Sequence, residues 1–361
     1  MSDAQTALHY AVRDDIRALA AYQVPDSSGM VKLDAMENPY QLPQDLRLAL
    51  GQRLAQVTVN RYPAPRATAL LEKLREVYAI PAPAEIMLGN GSDELISIIA
   101  TACAKPGASL LSLAPSFVMY AMSAQLAQLN FIPVNLNNDY TLNLTATLAA
   151  IEQHQPAILY ISYPNNPTGS LYPVADIEAL LQAAPGLVVL DEAYYAFAQH
   201  SFMPRLAEFP NMIVMRTVSK SGLAGLRLGY MAGHPAWIEQ FDKVRPPYNV
   251  NVLTQEYALF ALEHAEVLEA QAAVIRQERR RLLDSLSLLP GVTVWPSAGN
   301  FLLFRVPHAR QVFEQLKTGK ILVKYLGANP LMHDCLRVTV SSPEENALFV
   351  NALSAALKAA P

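Results

Sequence analysis

The chain has 361 residues, 52% of them hydrophobic and 16% charged, which suits about two domains of ~150 residues each and a large core, and excludes a disordered chain. With Lys+Arg 27 against Asp+Glu 31 and a net charge of -4, no basic stripe is present, and a nucleic-acid partner is not expected. The N-terminus has neither a basic start nor an unbroken apolar run, and no segment holds 18 uncharged apolar residues, so a cytoplasmic protein with no signal peptide, no transmembrane helix and no membrane partner is expected.

Residues 8–21 carry Leu8, Val12, Ile16 and Leu19 at helical spacing, which predicts a short amphipathic arm helix. Asp34-Ala-Met-Glu-Asn-Pro-Tyr40 is turn-rich, a helix follows over 43–56, and Asn60-Arg-Tyr-Pro63 must extend or turn before its proline. From residue 67 the pattern alternates: helix 67–78, strand 85–88, helix 92–104, strand 109–113, helix 117–128, strand 130–134, helix 145–153, strand 157–162, helix 173–183, strand 187–190 and strand 211–217. Unbroken apolar strands alternating with helices predict a parallel sheet covered on both faces. In such sheets the ligand site lies at the carboxyl ends of the strands, and the polar motifs of the chain fall there. Residues 250–289 read as one or two long helices bridging to a second part. Strands 292–295, 300–305, 321–325 and 336–340 with helices 309–318 and 343–358 predict a small α+β domain. The expected division is an arm over 1–40 that packs with the small domain and a partner subunit, a large domain over 41–265, and a small domain over 266–361.

Cys103 and Cys335 belong to no CxxC pair. They support neither a metal site nor a disulfide framework and read as buried free thiols. Several stretches could carry chemistry. Gly89-Asn-Gly-Ser-Asp-Glu94 opens a helix, where glycines let a phosphate approach and free N–H groups attract it; an ordinary N-cap would look the same. Pro115-Ser-Phe-Val-Met-Tyr120 offers aromatics at a strand end; Phe117 could stack on a flat ring, or simply belong to the core. In Tyr163-Pro-Asn-Asn-Pro-Thr-Gly169, two asparagines between prolines form a rigid turn able to aim an amide N–H. Asp191 ends a run of four apolar residues, where a carboxylate needs a cation, and a protonated ring nitrogen would serve. Tyr194 could bond an oxygen on the same ring. Lys220 follows the apolar strand Met212-Ile-Val-Met215 and lies between Ser219 and Arg227. It suits an amine that attacks a carbonyl beside a held phosphate, although a surface lysine at a strand end is the plainer reading of the same stretch. Arg337, on an apolar strand, needs an anion if it faces inward. Lys324 is a second candidate cation.

Taken together, Asn166, Asp191, Tyr194, Ser219, Lys220 and Arg227 resemble, in order and spacing, the fold-type I aminotransferases that use pyridoxal 5′-phosphate. The likeness runs from Tyr22 to the C-terminal helix. Glu37-Asn-Pro-Tyr40, Asn60-Arg-Tyr-Pro63, Gly91-Ser-Asp-Glu94, Ser162–Gly169, Asp191-Glu-Ala-Tyr194, Ala224-Gly-Leu-Arg227 and Cys335-Leu-Arg337 resemble the histidinol-phosphate aminotransferase family. The resemblance implies that Lys220 holds the cofactor as an internal aldimine and then moves the substrate proton. It implies that Asp191 keeps the ring nitrogen protonated, that Asn166 and Tyr194 bond the ring oxygen, and that Phe117 stacks on the ring. Gly91, Ser92 and Asp93, with Ser219 and Arg227, would cradle the cofactor phosphate, with Tyr62 reaching that of a neighbouring subunit in a homodimer. Tyr22, Glu37, Asn166, Lys324 and Arg337 would bind substrate. Lys324 stands where the family usually has arginine, and the Lys220–Arg227 loop is one residue shorter than the commonest form. The implied activity is a ping-pong exchange between L-histidinol phosphate with 2-oxoglutarate and imidazole-acetol phosphate with L-glutamate, in histidine biosynthesis. The alternatives are an aromatic or other amino-acid aminotransferase, a lyase resembling threonine-phosphate decarboxylase, and a cofactor-binding regulatory module.

Overall fold

The computed structural model describes residues 3–21, 23–64 and 66–359. In chain order, the arm carries α1 (Asp3–Ala11), α2 (Asp14–Arg17) and β1 (Val31–Lys32). There follow α3 (Gln44–Leu54), α4 (Thr68–Val77), β2 (Glu85–Gly89), α5 (Ser92–Cys103), β3 (Ser109–Ala114), α6 (Val118–Leu126), β4 (Asn130–Asn135), α7 (Leu144–His154), β5 (Ile158–Ser162) and α8 (Val174–Ala183). Next come β6 (Leu187–Asp191), α9 (Tyr195–Ala198), β7 (Met212–Thr217), β8 (Gly229–Gly233), α10 (Pro235–Asp242), α11 (Val252–Glu263) and α12 (Ala265–Ser287). The chain closes with β9 (Thr293–Val294), β10 (Phe301–Arg305), α13 (Ala309–Thr318), β11 (Ile321–Leu322), β12 (Lys324–Tyr325), β13 (Cys335–Thr339) and α14 (Pro343–Ala359).

Seven strands form one sheet in the order β2-β8-β7-β6-β5-β3-β4. From β7 to β4 every pairing is parallel, and β8 alone runs antiparallel to both of its neighbours. β2 and β7 therefore point the same way, and six strands end on one edge. β5, β6 and β7 are buried along their whole length, as their unbroken apolar runs require. The strand period of two divides their side chains between two cores. Leu159, Ile161, Val188, Leu190 and Val214 join α3, α4, α7, α8 and α11 on one face. Ile158, Tyr160, Leu187, Val189, Ile213 and Met215 join α5, α6 and α10 on the other. By the same count Asp191 belongs to the α5/α6 face.

Strand β8 lies outside the elements predicted from sequence. Its Gly-Tyr-Met-Ala-Gly run lacks β-branched residues, so propensity does not mark it. Close approach explains the composition: a Cβ on Gly229 would lie 2.6 Å from the Ser92 nitrogen and 2.7 Å from the Gly91 carbonyl carbon.

β12, β13, β10 and β9 form an antiparallel sheet, while β11 pairs in parallel with β1 of the arm. The single strand predicted over 321–325 is thus divided at Val323, where the chain changes sheets. Leu33 and Met36 from the arm, with Tyr194 and Phe197, share one core with Phe301, Phe304 and Phe349. The rest of the arm differs from expectation. Two helices replace the single one predicted over 8–21, with no buried residue in either. Arg13 donates to the carbonyls of Gln125 and Leu126, both at 3.1 Å, so this part of the arm rests on the C-terminal end of α6 rather than on the C-terminal sheet. Cys335 is buried as expected, but Cys103 is only half-buried; burial still pushes its thiol up to about 11.

A buried ion pair ties the residue that follows β6 to the end of β7. Arg216 donates through Nε and Nη2 to Glu192 Oε2 at 3.0 and 2.8 Å, and its guanidinium lies 4.1 Å from the Tyr195 ring centroid. Both side chains are almost wholly buried. Arg216→Met, which strands the Glu192 charge, is expected to cost about 3–5 kcal/mol in urea unfolding, and the double variant with Glu192→Leu is expected to recover most of it.

Candidate active site

The edge where the six strands end holds one cavity, lined by Met36, Ser92, Asp93, Phe117, Ser162, Asn166, Asp191, Ala193, Tyr194, Thr217, Ser219, Lys220 and Arg227. The motifs following β2, β3, β5, β6 and β7 thus converge on a single space.

Asp191 is the last residue of β6 and 3% exposed. Its Oδ1 accepts the Ala193 N–H at 3.1 Å, and its Oδ2 accepts the Tyr120 hydroxyl at 2.7 Å. Burial raises its carboxyl to about 6 despite these bonds, which act in the other direction. Phe117, the residue before α6, stands edge-on to Tyr120 at 5.6 Å between centroids. Tyr194 is buried against Phe301 in an edge-to-face contact of 5.0 Å, and burial drives its phenol well upward.

Lys220 sits in a 3-10 turn immediately after β7. Its Nζ donates to the Ala35 carbonyl at 2.9 Å. Removal from water, then the nearby Arg337 guanidinium, lower its amine from 10.5 to about 8. A flat ring placed between Asp191 and Lys220 would meet a buried carboxylate at one end and a readily deprotonated amine at the other.

The glycine turn after β2 supplies the phosphate-sized corner. Gly91 has φ +81, and a Cβ there would fall 2.7 Å from Arg227 Nη2. The positive φ favours glycine, and any larger residue would also push the guanidinium away from the turn. No side chain caps the start of α5, so its first amides face the corner, as anion sites at helix N-termini require. Arg227 reaches Asp93 Oδ2 at 3.2 Å, the two side chains being 51% and 44% exposed. Ser219 Oγ accepts from the Thr217 hydroxyl at 2.9 Å. The short loop from Lys220 to Arg227 folds as two 3-10 turns, Ser219–Ser221 and Ala224–Leu226, with Arg227 left-handed at φ 51. Its reach to the corner is intact.

Arg337 on β13 faces inward and is 7% exposed. It donates to Asn166 Oδ1 through Nη1 and to the Asp34 carbonyl through Nη2, the latter at 2.8 Å. Lys324 stands directly opposite it on β12, and such pairs share one face of the sheet. Glu37 pairs with Lys32 at 2.7 Å and is close enough to Lys220 to act on its charge, in the raising direction.

Tyr62 is not part of this cluster. It is 82% exposed and stacks on Tyr248 at 4.8 Å. Tyr22 lies outside the described residues. The bond from Tyr120 to Asp191, the backbone contacts of Asp34 and Ala35, and the lining positions Met36, Ser162, Ala193 and Thr217 were not foreseen. Tyr120 was legible as the residue three after Phe117, on the same side of a helix; carbonyl acceptors leave no trace in side-chain patterns. Among the described residues no group of acidic, histidine or cysteine side chains could hold a metal ion.

The fold and cavity define an aminotransferase scaffold, and the chain belongs to the aminotransferase class I and II family, whose profile it matches over residues 28–353. Within that family it is 62% identical to histidinol-phosphate aminotransferase 1 of Ralstonia nicotianae, over 97% of this chain and 95% of that one. It is 53% identical to the histidinol-phosphate aminotransferase of Chromobacterium violaceum, over 95% and 96%. Among solved structures it is similar to the histidinol-phosphate aminotransferase of Sinorhizobium meliloti in complex with pyridoxal 5′-phosphate, at TM-score 0.87 and 25% identity over 97% of this chain and 98% of that one. The L-threonine-O-3-phosphate decarboxylase of Porphyromonas gingivalis shares the fold at TM-score 0.77 and 23% identity, over 91% and 100%.

The lowered Lys220 amine has a sign that can be checked. Between about 8 and 10.5 the unfolded chain holds a proton that the folded chain has released, so this group adds stability as pH rises through that window and withdraws it as pH falls. Acylation of Lys220 in the cofactor-free protein, followed by peptide mass analysis, is expected to reach half its maximal rate near pH 8. A midpoint above 10 would show a solvated amine.

Proposed function

We propose that this chain is a pyridoxal 5′-phosphate-dependent aminotransferase that interconverts L-histidinol phosphate and 2-oxoglutarate with imidazole-acetol phosphate and L-glutamate, in L-histidine biosynthesis. The observation that carries the substrate is the pair Lys324 and Arg337, opposite one another on β12 and β13, with Arg337 bonded to Asn166 of the cavity. Two cations side by side match a phosphate dianion, and the relatives at 53–62% identity bear the corresponding name.

The residues fit the cofactor, as the Gly91–Arg227 corner and the buried acceptor at Asp191 indicate. Pyridoxal 5′-phosphate, when bound, supplies the carbonyl that takes up the amino group and a ring that accepts the electrons of the broken Cα–H bond. Ser92, Asp93, Ser219 and Arg227, with the Gly91 turn, would hold its phosphate. Asp191 would hold a proton on its ring nitrogen, and Asn166 and Tyr194 would orient its ring oxygen beneath Phe117. Lys220 Nζ, lowered to about 8, is suited to attach to the cofactor carbonyl and afterwards to carry the proton between carbon atoms. Arg337 would orient the glutamate carboxylate in one half-reaction and, with Lys324, the substrate phosphate in the other. Glu37 and the arm residue Tyr22 would complete the substrate site. The two substrates use one cavity in turn, which gives ping-pong kinetics.

We also propose a cytoplasmic homodimer with shared sites and with no nucleic-acid or membrane partner. Exposed Val59, Tyr62, Tyr248 and Leu253 support the first point, since apolar surface of this kind is usually covered. The net charge of -4 and the lack of a membrane-crossing helix among the described residues support the second. The division into an arm (1–40), a large domain (41–265) and a small domain (266–361) belongs to this proposal. The seven-stranded and four-stranded sheets support it, with α12 as the bridge.

Assayed with 2-oxoglutarate, histidinol phosphate is expected to be converted at a kcat/KM at least about 100-fold above that of phenylalanine, the worth of two charge-assisted contacts. Lys324→Arg is expected to stay within about tenfold of wild type, and Arg337→Ala to lose about 100-fold or more. Preference for phenylalanine, or release of carbon dioxide, would displace the named substrate. In sedimentation the wild type is expected at twice the chain mass, and Tyr62→Ala is expected to remain dimeric while binding the cofactor about tenfold more weakly, the worth of one hydrogen bond to a charged group.

A further inference from the structure

We propose that Tyr120 is the positioning residue of the active site, holding the Asp191 carboxylate in the orientation that receives the cofactor ring. This rests on the cofactor reading above and adds to it a residue that contacts neither ring nor substrate.

The observations are geometric. Tyr120 is 0% exposed, and its hydroxyl donates to Asp191 Oδ2 at 2.7 Å. Its ring is fixed by stacking on Tyr160, with centroids 4.5 Å apart and planes 11° from parallel. Phe117 meets it edge-on on another side. The hydroxyl therefore cannot swing away. The other oxygen of Asp191 is held by the Ala193 N–H, so each carboxylate oxygen has one fixed donor while the group still lines the cavity. A carboxylate free to rotate about its last torsion would meet the ring nitrogen in many orientations. One gripped at both oxygens presents the remaining lone pairs in one direction, and such outer contacts are what make a site productive.

The spacing adds a mechanical link. Phe117 and Tyr120 are three residues apart at the first turn of α6, so the ring that lines the cavity and the grip on Asp191 ride on the same turn. Tyr160 belongs to β5 and Asp191 to the adjacent β6, and both lie on the α5/α6 face of the sheet. α6 can move Phe117 only by also moving Tyr120 against Asp191. The buried hydroxyl of Tyr160, by contrast, has no hydrogen-bond partner, which makes it the natural control.

The test uses the full-length protein stripped of cofactor and retitrated with pyridoxal 5′-phosphate, followed by absorbance, alongside kinetics of the reloaded enzyme. Tyr120→Phe is expected to weaken cofactor binding by about tenfold or more and to lower kcat by about 10–100-fold, the loss of one hydrogen bond to a charged group. KM for both substrates is expected to stay within about threefold, because the residue touches neither. Tyr160→Phe is expected to leave both quantities within about twofold of wild type, which is small against one such bond. In an Asp191→Asn background Tyr120→Phe is expected to add less than about twofold, since the two act as one unit. Thermal melting of each cofactor-free variant checks that it folds. Wild-type affinity and kcat in a folded Tyr120→Phe, or an undiminished effect in the Asp191→Asn background, would overturn the proposal. If Tyr120→Phe does not fold, Tyr120→His, which keeps a ring N–H donor, is compared with Tyr120→Leu, which has none. Equal cofactor affinity in that pair overturns the proposal, and tighter binding by the histidine variant supports it. A wild-type protein that bound no cofactor would instead overturn the parent reading.

Discussion

A carboxylate at the end of a fully buried strand is an unfavourable place for a charge, and much of this structure is arranged around it. Asp191 ends a strand flanked on both sides by other buried strands. It keeps its charge only through donors supplied from outside β6 itself. The Tyr120 hydroxyl comes from α6 and the Ala193 amide from the turn beyond the strand. The neighbouring Glu192 poses the same problem and is resolved differently, with a permanent cation in Arg216. Two adjacent acidic residues thus have separate fates: one neutralised by the protein, the other facing the cavity and available to a cationic ring.

The opposite side of the cavity is governed by the arm. Residues 31–32 add a strand beside β11, and the next few residues run between the two cations of the site. The Asp34 carbonyl takes Arg337 and the Ala35 carbonyl takes Lys220. The Met36 N–H bonds the Thr339 hydroxyl, and the Met36 carbonyl takes the Asn300 amide. A short stretch of backbone therefore sets where the amine and the guanidinium rest, and Leu33 and Met36 fasten it into the core beneath the C-terminal sheet.

Most of the sheet was legible because buried parallel strands are written as unbroken apolar runs, and β5, β6 and β7 follow that rule closely. β8 escaped because contact with the glycine turn of residues 89–92 demands small residues where propensity would place branched ones. The division at Val323 escaped because each half of that segment is two residues long and alternation cannot be read over so few positions. Ser92, Asp93, Phe117, Asn166, Asp191, Tyr194, Ser219, Lys220 and Arg227 were named because each lies at or beyond a strand end with a distinctive polar motif, whereas Met36, Ser162, Ala193 and Thr217, which line the same cavity, carry no such signal. The bond made by Tyr120 was overlooked for a related reason: inside an apolar helix a tyrosine looks like filler until the carboxylate it bonds is located. Tyr62 was readable only through family likeness, since nothing in a single chain draws an exposed ring toward the cavity.

Three of the acceptors that hold Lys220 and Arg337, the carbonyls of Ala35 and Asp34 and the amide oxygen of Asn166, are neutral. These dipoles place the guanidinium and the amine without themselves bringing a charge into the cavity. A substrate carboxylate or phosphate reaching Arg337 exchanges a neutral acceptor for a charged one, which makes the stronger bond. For a site that must accept and release two different anionic substrates in alternation, a guanidinium held by backbone and amide oxygens is set in one place for both.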